Sequence, residues 1–192
     1  MYKTFIKRFL DIILSFIALS VFAVPMIIFA AIIKLEDGGS VFFLQKRVGI
    51  HKKHFMIYKF RTMKTSTPHD TATHLLENPE DYILKCGHWM RLYSIDELPQ
   101  LFNILKGDMS IVGPRPALWN QFDLIEERDK YGANDIRPGL TGWAQIKGRD
   151  DVPNKEKAKL DGEYVQRESF IFDLMCIVKT FSSVLTHSGV DH

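Results

Sequence analysis

The feature that most constrains this chain is an uncharged run near its N-terminus, residues 12–33, IILSFIALSVFAVPMIIFAAII. As an α-helix these roughly 22 residues measure about 33 Å, against a bilayer hydrocarbon core of about 30 Å, so the run is long enough to cross a membrane. Lys3, Lys7 and Arg8 ahead of it resemble the basic start of a secretory signal. The apolar stretch is too long for one, however, and no small-x-small cleavage pattern precedes Lys34. Pro25, mid-run, removes one N–H from the helical ladder and disfavours helical geometry at Val24. Cations flank the run on both sides, Lys34, Lys46, Arg47, Lys52 and Lys53 following it, so the positive-inside bias assigns no direction of crossing. Two geometries stay open: a proline-kinked spanning helix, or a helix-break-helix hairpin that enters one leaflet and returns. In the second, the freed backbone groups near Val24 and Pro25 pair with Ser20 or with neighbouring elements.

The 192 residues leave room for one compact domain after this segment, giving an anchor over residues 1–36 and an integrated unit over residues 37–192. A formal net charge of +2 gives no support for nucleic-acid binding, so no nucleic-acid partner is expected. Cys86 and Cys176 lie far apart inside apolar-periodic segments and read as buried thiols of a reducing compartment. After the turn at residues 37–40, VFFLQKRVG and HFMIYKFRTM read as a β-hairpin, with Lys59 and Arg61 on one strand face by alternation. Residues 64–81 read as a long surface loop, and residues 82–92 as a helix. MSIVGPRP reads as a strand running into a rigid turn that presents Arg115 between prolines. Residues 117–131 read as an amphipathic helix with Leu118, Phe122 and Ile125 inward, stopped at Gly132; residues 137–149 read as a Gly-rich loop. In Phe170–Leu185 the apolar face of Phe170, Leu174, Ile177, Phe181 and Leu185 suits either the core or a membrane interface; few basic residues favour the core. The fold class is α/β (α+β): a membrane-inserted N-terminal helix pair, a small hairpin or sheet, and several amphipathic helices.

Neither a P-loop nor a dinucleotide fingerprint is present, and no H-E-x-x-H or C-x-x-C suggests zinc. The pattern that points to chemistry is Tyr93 to Asn103, YSIDELPQLFN, with adjacent carboxylates Asp96 and Glu97 before an apolar helix. Ser94 and Glu97 have capping-box spacing, which explains them structurally. That register puts Pro99 inside the helix. Taking Asp96 as the cap puts Pro99 where an N–H is unpaired anyway, and holds Asp96 ionised at the positive end of the helix. An ionised carboxylate at a phosphate-attracting helix end suits nucleophilic attack on phosphorus if cations offset the repulsion. Arg61, Arg91, Arg115 and Mg²⁺ are the candidates. The rival pair, Asp150 and Asp151, reads as a solvated turn.

VFFLQKRVG, YKFRTM, SIDELPQLFNILKGDMSIVGPRP and IRPGLTGWAQIKGR together resemble the bacterial sugar transferase family, the monotopic phosphoglycosyl transferases, in a minimal catalytic form. The resemblance runs nearly end to end. It implies a re-entrant anchor broken at Pro25, although Val24 stands where serine often precedes that proline. It implies a protein of the bacterial cytoplasmic membrane, on its cytoplasmic face. The implied reaction moves a sugar-1-phosphate from a UDP-sugar to polyprenyl (undecaprenyl) phosphate and releases UMP. Asp96 would attack phosphorus to form a covalent phosphosugar-enzyme, and Glu97 would support Mg²⁺ or orient the pair, both residues being candidate metal ligands. Lys59, Arg61, Arg91 and Arg115 would hold phosphates. Arg137, Thr141, Gly142, Trp143, Gln145 and Arg149 would face the nucleotide. Two rival readings share these residues: a membrane-anchored phosphatase or diphosphatase, in which water replaces the lipid acceptor, and a non-enzymatic scaffold whose acidic pair only starts a helix.

Overall fold

In the computed structural model, which describes residues 2–67, 79–148 and 152–185, the apolar run belongs to one helix, α1 (Lys7–Asp37), preceded by a π-helical turn over Tyr2–Ile6. Only Lys7, Asp11, Ser15, Met26 and Ile33 of α1 are buried. The first three are four residues apart and form one stripe, so the inward face of the N-terminal half is polar while Phe9, Ile13, Phe16 and Ile17 point out. Water would penalise such an inside-out helix; a hydrocarbon surrounding would not.

Protein contacts run along the whole of α1. Lys7 pairs with Asp173 and Tyr164, Arg8 donates to the carbonyls of Ile104 (2.6 Å) and Leu105 (2.9 Å), and Asp11 accepts from Ser110 Oγ and the Ile111 N–H. Ala18 and Leu19 touch a cluster of Phe55, Ile57, Leu101, Ile104 and Met109, and Met26 and Ile33 join Phe60, Leu84 and Met90. At the far end Glu36 accepts from the Lys85 N–H and Asp37 pairs with Arg61. A helix about 46 Å long is thus laid along one body, with both ends tied to it. The helix is not interrupted at Val24 and Pro25, so Pro25 loses only the one bond its nitrogen cannot donate. Ser20 does not compensate as the sequence suggested: its hydroxyl donates to its own i−4 carbonyl, Phe16 O.

Strands β1 (Phe42–Val48) and β2 (His54–Phe60) form the expected antiparallel hairpin, with Phe42 opposite Phe60 and Val48 opposite His54. After α2 (Lys85–Leu92) and α3 (Gln100–Lys106), β3 (Ser110–Val112) pairs in parallel with β4 (Gly139–Thr141). The glycines around this pairing permit contact between backbones: a Cβ on Gly139 would lie 2.1 Å from Gly113 N, and one on Gly142 2.0 Å from Gly113 O. The Gly-rich segment is therefore β4 followed by α5 (Trp143–Gly148), not a loop.

Helix α4 (Phe122–Asp129) is shorter than expected, because Ala117 accepts the Val48 N–H and so extends the hairpin edge instead of starting a helix. Phe122 is exposed and Leu124 takes its place in the core. Helix α6 (Asn154–Arg167) packs beside α4, joined by a buried ion pair between Arg128 and Asp161. Helix α7 (Phe170–Leu185) buries Phe172, Asp173 and Cys176 against Val112, Trp143, Leu160 and Tyr164. The core face read for it is corrected: Phe170, Leu174 and Phe181 are exposed, together with Ile171 and Val178. Burial selects Asp173 because it answers Lys7, which periodicity could not reveal. Cys176 is buried as expected, but Cys86 is only half-buried.

Arg128 and Asp161 are both nearly inaccessible, so removing one strands the other. Arg128→Met is expected to cost about 3–5 kcal/mol in chemical denaturation, whereas Lys130→Ala, which breaks an exposed pair on the same helix end, is expected to cost under about 1 kcal/mol.

Candidate active site

The acidic pair sits in a 3₁₀ turn, Ile95–Glu97, between α2 and α3. Ser94 enters it in the left-handed region, at φ 55°, a conformation that costs a non-glycine residue energy and aims the next peptide units sharply. The Glu97 N–H bonds to Ser94 O and the Leu98 N–H to Ile95 O, so the backbone itself closes the turn. Neither expected cap forms: no side chain caps this turn or α3, whose N-cap position is Pro99. Proline at this boundary still follows the expected logic, since its missing N–H has no helical partner there.

What holds the pair is charge. Glu97 accepts from Lys59 at 2.7 Å and from Arg115 at 3.3 Å, while Asp96 lies 3.9 Å from Lys59. Arg91, the next cation, donates through Nε to Thr62 Oγ1 at 3.0 Å and acts on Asp96 through its field. The two carboxyls separate accordingly. Burial, and then the neighbouring Glu97, push the Asp96 carboxyl up to about 6 against the offsetting cations. For Glu97 burial also pushes upward, but Lys59 and Arg115 outweigh it and hold the carboxyl down at about 2. Near neutrality both are ionised, and among the described residues no hydrogen bond reaches the Asp96 oxygens.

Lys59 reaches the pair because Asn103, buried in α3, binds the open edge of β2. Its Oδ1 accepts the Tyr58 N–H at 2.9 Å and its Nδ2 donates to Met56 O at 2.8 Å, as a neighbouring strand would. Arg115 is held through its own carbonyl by Arg128 Nη2, and the flanking Pro116 carbonyl is held by Arg47. A gap of about 10 Å³, the size of a single water, lies between Arg47, Lys59, Gln100 and Arg115. The buried Gln100 Nε2 has no hydrogen-bond partner there, so donors surround the gap. Asn103, Gln100, Arg47 and Arg128 were missed by sequence reasoning; polar residues within the apolar stretch QLFNIL are the signal that could have flagged the first two.

The other expected residues lie elsewhere. Lys59 and Arg61 do not act together, because β2 ends at Phe60 and Arg61 turns to Asp37, Ser40 O and Met63 O. Arg137 donates to Gly107 O at the C-terminal end of α3. Thr141 is buried against Thr180 of α7, and Trp143 is a core residue whose indole donates to Glu163. Gln145 donates to Leu140 O, and Gly142 serves the close approach to Gly113. Arg149 and the pair Asp150 and Asp151 lie outside the described residues, as do residues 68–78 of the expected surface loop.

Among the described residues no cluster of three or more His, Cys, Asp or Glu could enclose a metal ion. Two adjacent carboxylates do fit Mg²⁺, which is commonly held by one or two carboxylates while phosphate and water oxygens complete its shell. Glu97 is committed to two cations, so Asp96 is the better-placed oxygen donor.

An acid whose folded-state pKa is raised contributes its stability below the unfolded value, near 3.8, and loses it as pH rises through about 6. Asp96→Asn is therefore expected to stabilise the protein by about 1–3 kcal/mol at pH 7.5, with the difference gone below about pH 4. Paired thermal melts at the two pH values measure this.

The chain as a whole is similar to known proteins. The family model described as bacterial sugar transferase matches residues 2–187. The chain is 40% identical over 185 residues to the uncharacterized sugar transferase EpsL of Bacillus subtilis (strain 168), covering 96% of this chain and 90% of that one. It is 38% identical over 191 residues to the UDP-N-acetylgalactosamine-undecaprenyl-phosphate N-acetylgalactosaminephosphotransferase of Aeromonas hydrophila, spanning 45% of that longer protein. It is 37% identical over 187 residues to the undecaprenyl-phosphate glucose phosphotransferase of Komagataeibacter xylinus, spanning 35% of its length. Because the match takes in the inside-out helix as well as every element that frames Asp96 and Glu97, the chain belongs to the bacterial sugar transferase family.

Proposed function

We propose that this protein transfers a sugar-1-phosphate from a UDP-sugar to undecaprenyl phosphate in two displacements at Asp96. The observation that carries the reading is the asymmetry of the acidic pair: one carboxylate hydrogen-bonded by two cations, and beside it an equally buried one that accepts no hydrogen bond among the described residues. In the first displacement an Asp96 oxygen attacks the sugar-side phosphorus, the bond from that phosphorus to the bridging oxygen breaks, and UMP leaves with the electron pair. In the second, an oxygen of undecaprenyl phosphate attacks the same phosphorus and expels the Asp96 carboxylate, giving the lipid diphosphosugar. Lys59, Arg91 and Arg115 lower the repulsion between Asp96 and its anionic target, and they stay fixed because Glu97, Thr62 and the backbone hold them. Asp96, with Glu97 behind it, would hold Mg²⁺ together with substrate phosphates, and the ion would supply charge neutralisation for the departing UMP.

The names of the Aeromonas and Komagataeibacter relatives support the lipid acceptor, and the first also supports a UDP-sugar donor. The fold supports placement at a membrane surface. The outward faces of α1 and α7 are both apolar, while Lys3, Arg167 and Lys179 carry charge beside them. That arrangement lets a soluble donor and a bilayer acceptor meet at one site on the cytoplasmic face of the bacterial inner membrane, with α1 lying in the interface rather than crossing it.

The donor's kcat/KM reports the first displacement alone, so the ionisation of the lipid acceptor drops out of it. Since the carboxylate form of Asp96 is required, donor kcat/KM is expected to fall as pH drops through about 6, approaching tenfold per pH unit, with Glu97 ionised throughout. With donor but no acceptor, intact mass should show a phosphosugar adduct that Asp96→Asn lacks. Turnover by Asp96→Asn at the native rate would refute the proposal, and continuous UMP release without acceptor would favour the hydrolase.

A further inference from the structure

A cavity of about 380 Å³ lies away from the acidic pair. It opens at the N-terminal end of α1, and Arg8, Arg137, Lys3, Asp11, Asp135 and Glu168 line it together with Lys7, Ile50, Ser110 and Ile136. Each acid there has its own partner. Asp11 accepts from Ser110 and the Ile111 N–H, Asp135 pairs with His51, and Glu168 pairs with Lys3. Lys7 is spent on Asp173 and Tyr164.

The two arginines differ. Arg8 donates only to the carbonyls of Ile104 and Leu105, and Arg137 uses Nε for Gly107 O. Among the described residues neither forms a salt bridge with a carboxylate; burial and then the nearby Arg137 disfavour the Arg8 charge, which Asp11 offsets from a distance. Carbonyl oxygens satisfy N–H groups but carry no full charge, and Asp11, already hydrogen-bonded to Ser110 and the Ile111 N–H, offsets the pair only at a distance. An anion in the cavity would, and the terminal nitrogens of Arg137 form no hydrogen bond among the described residues. A planar guanidinium pair selects a tetrahedral oxyanion, because each fork can present two N–H groups to phosphate oxygens.

We propose that the cavity between Arg8 and Arg137 is a second phosphate-binding site, separate from the one at Asp96. Its occupant carries a phosphate group, either the headgroup of an anionic phospholipid or free phosphate. Position favours the headgroup. Phe5, Phe9 and Ile12 project outward beside the cavity mouth, where acyl chains would lie if α1 rests in the interface. Ser110 of β3 lines this cavity while Arg115, five residues on, faces Glu97, so a bound phosphate would brace the strand that leads to the active site.

The test uses the full chain in phosphatidylcholine nanodiscs, read by the rate at which phenylglyoxal modifies individual arginines. Doping the discs with phosphatidylglycerol is expected to slow modification of Arg8 and Arg137 by about tenfold, with exposed Arg167 changed much less. Slowing by inorganic phosphate in undoped discs supports the same site with a soluble occupant. Arg137→Gln should weaken the protection of Arg8 by about tenfold or more, while Lys53→Gln, on the surface outside the cavity, should not. Equal modification rates with and without both anions would overturn the proposal and leave the two arginines as caps of α3. The wild-type labelling decides the matter even if Arg137→Gln fails to fold. Because the readout involves no turnover, it stands apart from the outcome at Asp96.

Discussion

The contact on which the active site depends is the amide of Asn103 against the edge of β2. A two-stranded hairpin has little stability of its own, and one edge of β2 would otherwise be unpaired. By accepting from Tyr58 and donating to Met56, Asn103 serves as a third strand reduced to one side chain. It does so from α3, the helix directly after the acidic turn. The same amide that closes the sheet edge therefore fixes the distance between Lys59 and Glu97, and a slip of one residue along β2 would turn Lys59 to the opposite face. Registry of the hairpin and assembly of the site are one constraint.

With Lys59 fixed, the chemistry follows from an unequal division of cations. Adjacent carboxylates in a partly buried turn repel, and both would be costly to ionise without help. Two of the three cations bond directly to Glu97, which makes it a permanent anion and a structural anchor. Asp96 receives their field but not their hydrogen bonds, so it is ionised above about pH 6 while its oxygens remain unbonded to them. A carboxylate better solvated by the protein would be more stable and, for the attack proposed above, a poorer nucleophile. Ser94, held in an uncommon backbone region just before the pair, is the local cost of presenting Asp96 this way.

The sequence was most informative where one residue type answers to one local rule. The hairpin followed from alternation, the left-handed glycine at Gly132 from the stop read there, and the acidic pair from its place before an apolar run. It was silent where a side chain is chosen by a partner distant in the chain. Arg61 and Lys59 looked equivalent by spacing, yet Asp37 claims one and Glu97 the other. The glycines of residues 139–142 suggested a ligand loop because a backbone pressed against Gly113 leaves the same mark in sequence as a backbone pressed against a phosphate. Helix α7 was misread for a related reason. Apolar periodicity identifies a face but not its medium, and here the buried face contains Asp173 while the apolar one is exposed.

That inversion recurs in α1 and decides how the molecule can sit. In both helices charged side chains are turned inward to meet each other, Lys7 and Asp173 directly, with Tyr2 and Tyr164 donating to the same carboxyl group. A soluble protein gains nothing by burying an ion pair while exposing Phe9, Phe16, Leu174 and Phe181, because desolvation of the charges opposes folding and the exposed apolar surface contributes no stability in water. In a membrane the ledger reverses. The outward faces then lie in hydrocarbon, and the polar network lies on the only side where partners exist. Since α1 is bonded to one body from Lys7 to Asp37, it cannot stand across the bilayer without carrying that body in with it. It can lie in the outer part of one leaflet, which is the depth at which the phosphate of the proposed lipid acceptor would be found.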